Sequence, residues 1–174
     1  MTAQKSQYKI LYLHGLESRL SEEKQTILKP SGEVLFPDID YKATDRIIDD
    51  LYAQYETKKI DVIIGSSFGG FAAYYLSSML NAHCLVFNPA LPYRSFPQQI
   101  PAIPPRVKKL LTVIGLQDHI IKAADNLHFL MDHQSENEHS RIHVLQDLAH
   151  RIPLQIFSSE VDYFFNRMLL NPLK

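Results

Sequence analysis

A chain of 174 residues carries 18 Lys and Arg against 19 Asp and Glu, for a formal net charge of -1. That balance argues against a protein whose main task is to grip a phosphate backbone, which takes a basic face, so no nucleic-acid partner is expected. Hydrophobic residues at 45% and charged residues at 21% exclude a disordered chain and leave a globular one.

The length is that of one ordinary domain, expected to span 1–174. The opening residues lack the long apolar stretch and small-residue cleavage site of a signal peptide. No apolar run is long enough for a membrane span, so a cytoplasmic location is the expectation. Residues 8–15 read as a buried strand ending in a glycine turn. Residues 21–28 read as a short helix with Ser21 as N-cap. A brief strand over 33–40 is stopped by Pro37. In 44–58, Ile47, Ile48, Leu51, Tyr52 and Tyr55 recur at helical spacing, with Thr44 or Asp45 as the expected cap. A strand over 60–67 hands over directly to a helix over 68–80. Strands follow over 83–90 and 108–118, then a helix over 123–134, a last strand over 141–150 and a helix opening at Pro153. Cys84, the one cysteine, falls in an apolar strand and reads as a core residue.

Strand and helix in alternation require crossover connections, and these give a parallel sheet with helices on both faces. Strands buried on both faces read as unbroken apolar runs, as Ile60–Ile64 and Leu110–Ile114 do. Such sheets carry their sites beyond the carboxyl ends of the strands. The loops after Leu13, Ile64, Phe87, Leu116 and Leu145 are therefore the places to search.

One of them stands out. Gly65-Ser66-Ser67-Phe68-Gly69 fits G-x-S-x-G with Ser67 at its centre, between a predicted strand and a predicted helix. A nucleophile on so sharp a turn leaves no room for side chains two residues to either side, hence the glycines. The helix N-terminus then directs free N–H groups at the site, where an oxyanion would develop. Serine needs a base, and the base needs an orienting carboxylate. Asp118 stands just beyond a later strand, and His150 in the loop after the last one. Asp147 is a rival acid from a less suitable loop, and His119 is badly placed if Asp118 points inward. His128, His133, His139 and His143 lack a compact metal-ligand spacing and read mostly as solvated surface. Backbone N–H donors for an oxyanion are expected from Phe68 and Leu16. His14 precedes the serine and is expected to pack or hydrogen-bond beneath its loop.

The segments 10–18, 62–76, 86–93, 113–120 and 148–152 together resemble the α/β-hydrolase superfamily, and within it the small YqiA-like bacterial esterases. The resemblance implies a reduced hydrolase fold of about six parallel strands, lacking the superfamily's first antiparallel strands. It carries over Ser67, Asp118 and His150 as a catalytic triad, with the Phe68 and Leu16 amides as oxyanion hole. Leu16-Glu17 departs from the small or polar residues usual there. The implied activity is hydrolysis of carboxylic esters or thioesters, through an acyl-enzyme on Ser67, with a small-molecule substrate. Neither a metal nor an organic cofactor is implied. Two other readings fit the same turn: an idle hydrolase scaffold used for binding, and a flavodoxin-like phosphate binder. Where larger relatives insert a cap domain, this chain has a loop over about 90–109 with Pro92, Pro97, Pro101, Pro104 and Pro105. Prolines make it stiff and too short to enclose a long acyl chain. The expectation is an open, shallow site for short acyl groups, with Tyr93 or Phe96 at its rim.

Overall fold

The structure, a computed structural model, describes residues 7–102, 104–133 and 139–170. Six strands, β1 (Tyr8–Leu13), β2 (Gly32–Leu35), β3 (Val62–Ser66), β4 (His83–Phe87), β5 (Leu110–Gly115) and β6 (Ser140–Leu145), form one sheet in the order β2-β1-β3-β4-β5-β6. Every pairing is parallel. The chain steps outward from β1 to β2, then crosses back to lay β3 on the other side of β1. That reversal opens a crevice between the carboxyl ends of β1 and β3, where sheets of this kind bind ligands.

Alternation along each strand divides the core in two. Leu11, Leu13, Ile63, Cys84 and Val86 pack with α2 (Ile47–Tyr55), α3 (Phe68–Met79) and α4 (Ala123–His133). Ile10, Tyr12, Ile64, Leu85 and Phe87 pack with α1 (Glu22–Leu28) and α5 (Leu154–Tyr163). Cys84 is fully buried, and burial pushes its thiol up, as suits a core residue. A π-type turn over Phe164–Met168, closed by Leu169 N–H donating to the Phe164 carbonyl, extends α5. Among the described residues no helix is long and apolar enough to cross a membrane.

Helix starts show where tertiary structure intervenes. Ser21 caps α1 as its sequence implies, its side chain accepting from Lys24 N–H. The expected cap of α2 is displaced: the helix begins at Ile47, after Arg46, and neither Thr44 nor Asp45 caps it. Thr44 Oγ1 instead accepts from Arg46 N–H. The Ile47 N–H donates to Oε1 of Gln98 at 3.2 Å, so a side chain from the proline-rich loop does the capping. Gln98 Nε2 donates to the Thr44 carbonyl and Gln99 Nε2 to Asp45 Oδ2. Arg94 donates to the Ala90 and Leu91 carbonyls and lies over the Phe71 ring; Arg106 bonds Ser77 and the Tyr74 carbonyl. The loop is thus pinned to the α2 and α3 face.

His83, at the start of β4, accepts through Nδ1 from Lys109 N–H. Burial, and then the charges of Lys108 and Lys109, push its pKa from 6.5 down to about 4, against a smaller upward pull from Asp61. Between those pH values the unfolded chain binds a proton that the folded chain refuses, so stability falls as pH drops from 6.5 toward 4. His83→Asn, which keeps an acceptor for Lys109 N–H, should flatten the fall in urea midpoint over that window; an unchanged slope would rule out His83 as its source.

Candidate active site

The turn from β3 into α3 is built by what glycine omits. A Cβ on Gly65 would lie 2.3 Å from the Gly69 carbonyl oxygen, and one on Gly69 would lie 2.2 Å from that of Leu13. Without those atoms α3 starts hard against the ends of β1 and β3. Ser67 sits at the apex with φ 55 and ψ -118, a conformation that costs a non-glycine residue about 1–3 kcal/mol. Backbone bonds hold it there: Ser67 N–H donates to the Phe87 carbonyl, and the Ser67 carbonyl accepts from Phe71 and Ala90 N–H.

Three side chains far apart in sequence meet beyond the strand ends. Ser67 Oγ lies 3.1 Å from His150 Nε2, and His150 Nδ1 lies 2.7 Å from Asp118 Oδ2. The second Asp118 oxygen accepts from the N–H groups of Ile120 and Ile121 at 2.8 and 2.9 Å. Its carboxylate is therefore buried with both oxygens hydrogen-bonded. Asp118 Oδ2 accepts from His150 Nδ1–H, which leaves Nε2 as the acceptor facing the serine hydroxyl. Asp147 and His119 are exposed and take no part in this chain of bonds.

The β1 loop completes one wall. The Gly15 carbonyl accepts from His14 Nδ1 at 2.7 Å and from both the Ser18 hydroxyl and N–H. A trans peptide points its N–H opposite to its carbonyl, so these bonds turn the Leu16 N–H the other way. Neither Leu16 N–H nor Phe68 N–H has a protein acceptor among the described residues. A Cβ on Gly15 would lie 3.4 Å from Ser67 Cβ, so the loop abuts the serine closely. His14 works below the loop as its place in the chain suggests: Nε2 accepts from Ile39 N–H at 2.9 Å, and the Tyr41 hydroxyl donates to the His14 carbonyl. Glu17 takes a left-handed conformation and pairs with Lys42.

Ser67 and His150 open into a cleft of about 620 Å³, lined also by Tyr12, Leu16, Arg19, Lys24, Arg151 and Leu154. Tyr93 and Phe96 are not on its lining, and here the sequence reading needs correction. Phe96 packs on the core beneath Lys42, because the loop that carries it is clamped to α2. The Tyr93 hydroxyl donates to the Ile120 carbonyl, bracing the Asp118 loop from outside. His143 also departs from expectation: it is no solvated surface group, but lies 2.7 Å from the buried Glu160 and against Tyr163. Among the described residues no group of three metal-ligating side chains occurs.

Sequence reasoning gave Asn88 no role. It sits just past β4 with φ 41, and is 1% exposed. Its Oδ1 accepts from Gly115 N–H at 2.8 Å, and its Nδ2 donates to the Ala149 carbonyl at 2.9 Å. One amide therefore ties the loop carrying Asp118 to the loop carrying His150. The available signal was an asparagine directly after a strand, where a left-handed turn is tolerated. Asn88→Asp should replace the Nδ2 donor with an oxygen facing the Ala149 carbonyl. The expected result is a loss of about 2 kcal/mol or more in urea unfolding, together with weakened activity of the site. Wild-type stability in that variant would show that the bridge is not needed.

The sequence matches the uncharacterised protein family UPF0227 over residues 9–152. No curated protein matches. Solved structures match closely in fold. Est1E from Butyrivibrio proteoclasticus aligns with TM-score 0.71 and 16% identity, over 96% of this chain and 90% of its own. SOBER1 from Arabidopsis thaliana aligns with TM-score 0.68 and 18% identity, over 94% of this chain and 100% of its own. Alpha/beta hydrolase domain-containing protein 10 from mouse aligns with TM-score 0.67 and 12% identity, over 92% and 90%. At such identities the likeness establishes the α/β-hydrolase fold.

Proposed function

The chain belongs to the uncharacterised protein family UPF0227, and from its α/β-hydrolase fold and the geometry around Ser67 we propose that it is a serine esterase or thioesterase. The observation that carries the reading is the bond chain from Ser67 Oγ through His150 to the buried Asp118, on a serine held at φ 55. A phosphate-binding turn needs neither a histidine nor a carboxylate within reach of its serine.

In this proposal Ser67 attacks the ester carbonyl while His150 Nε2 takes its proton. Asp118 holds the imidazole in the useful tautomer and stabilises the imidazolium that forms. The Leu16 and Phe68 N–H groups receive the oxyanion, at a helix N-terminus that already favours negative charge. His150 then protonates the departing alcohol or thiol, and water, activated by the same imidazole, releases the acid from Ser67. The pinned proline-rich loop forms no enclosure for a long chain, which favours short acyl groups.

Ser67→Ala should fold normally and lose fluorophosphonate labelling and ester turnover, a drop of about 10⁶ for a nucleophile working as part of a triad. Asp118→Asn should lose about 10⁴. Folded wild-type protein that resists the probe would point to an idle scaffold used for binding.

Across nitrophenyl esters from acetate to palmitate, kcat/KM should peak among the short members. A maximum at palmitate would refute the short-acyl reading.

A further inference from the structure

The cleft beside Ser67 and His150 is lined by two cations that no carboxylate neutralises. Lys24, from α1, and Arg151, next to His150, both line it, and neither forms an ion pair among the described residues. The Lys24 ammonium stands 5.0 Å from the centre of the Phe157 ring. Burial, and then the Arg151 charge, hold its pKa below the ordinary lysine range. Two like charges that sense each other across a partly desolvated wall repel until an anion comes between them. The lining also carries Arg19 and Glu23. Arg19 is paired with Asp38 at 2.5 Å. The Glu23 carboxylate, at the exposed edge of the lining, pairs with neither cation, and its pKa is held below the usual carboxylate range by its own N–H and by Ser21.

A second, independent feature lies on the same wall. Tyr12 is 4% exposed, lines the cleft, and its hydroxyl has no hydrogen-bond partner among the described residues. Burial pushes its pKa up to about 12, so the phenol stays neutral and offers a donor. Its hydroxyl is not shut away from solvent, so it is free to donate to a ligand atom that enters the cleft. Cations and a neutral donor on one wall make a receptor for oxygen acceptors bearing negative charge.

We infer that this cleft selects esters or thioesters whose leaving group carries a phosphate or carboxylate, held by Lys24, Arg151 and the Tyr12 hydroxyl. The leaving-group side follows from chemistry, and rests on the hydrolase reading above. His150 Nε2 must protonate the departing atom, so that atom lies against His150. Arg151, Ile152, Pro153 and Leu154 continue the cleft from there.

The test compares 4-carboxyphenyl acetate with its neutral near-isostere 4-carbamoylphenyl acetate, and adds phenyl hemisuccinate, whose charge is on the acyl side. Binding of phenyl phosphate, followed by calorimetry, gives a readout that needs no turnover. The carboxylated leaving group should be preferred by about tenfold in kcat/KM, the effect of one modest charge contact. High salt should shrink the preference. Lys24→Gln combined with Arg151→Gln should abolish the preference and weaken phenyl phosphate binding. Equal kcat/KM for the two acetates, or an unchanged ratio in the double variant, would overturn the inference while leaving the esterase intact. Preference for the hemisuccinate alone would overturn the leaving-group assignment. Phenyl phosphate binding that depends on Lys24 and Arg151, in a protein that turns over no ester, would refute the hydrolase reading and leave the anion site standing.

Discussion

Everything at the carboxyl end of the sheet depends on how closely α3 approaches the ends of β1 and β3. Gly69 is packed against the Leu13 and His14 carbonyls, and Gly65 against Gly69 itself. A methyl group at either position would occupy space that backbone already fills. The approach has three results at once. It forces Ser67 into a left-handed turn, it sets the β1 loop against the serine, and it frees the first N–H of α3. A strained residue survives because its surroundings over-determine it. Here the surroundings are the Phe87 carbonyl on one side and the Phe71 and Ala90 N–H groups on the other.

The second organising contact is the Asn88 amide. Asp118 and His150 follow adjacent strands, β5 and β6, and their loops are already laced by Gln117 N–H donating to the Leu148 carbonyl. Asn88 adds a bond to each from the end of β4, the strand beside the serine's own. The loops are thereby fixed to the sheet as well as to each other. Tyr93 adds a brace from outside through the Ile120 carbonyl. Tight fixing of this kind is what holds three side chains from three loops in one line of hydrogen bonds.

Much of this was legible in the chain because local pattern and tertiary need coincide. β3 and β5 are buried on both faces, so their apolar runs are unbroken and easily seen. The glycines about Ser67 announce crowding by their spacing. Asp118 and His150 drew notice because each lies in the loop that follows a strand. The failures share a cause, which is dependence on distant partners. The α2 cap comes from Gln98, 51 residues away. The directions of Tyr93 and Phe96 are set by where Arg94, Gln98 and Arg106 happen to anchor, and proline spacing says nothing of that. The cations of the cleft, Lys24 and Arg151, sit in unremarkable sequence at opposite ends of the chain and meet only once α1 and α5 pack together.

The anchoring of the proline-rich loop also bears on how such a protein changes over generations. Its fastenings fall into two groups, Arg94 to Gln99 on one side and Arg106 on the other. Between them, Ile100, Ala102, Pro104 and Pro105 are exposed, and Pro101 is half-buried. Added residues there would lengthen an exposed tip while leaving the α2 cap and the α3 staples in place. The entropic penalty grows only slowly with loop length. That short stretch is thus a natural port for acquiring a lid, by descent or by grafting, without dismantling the sheet end beneath it.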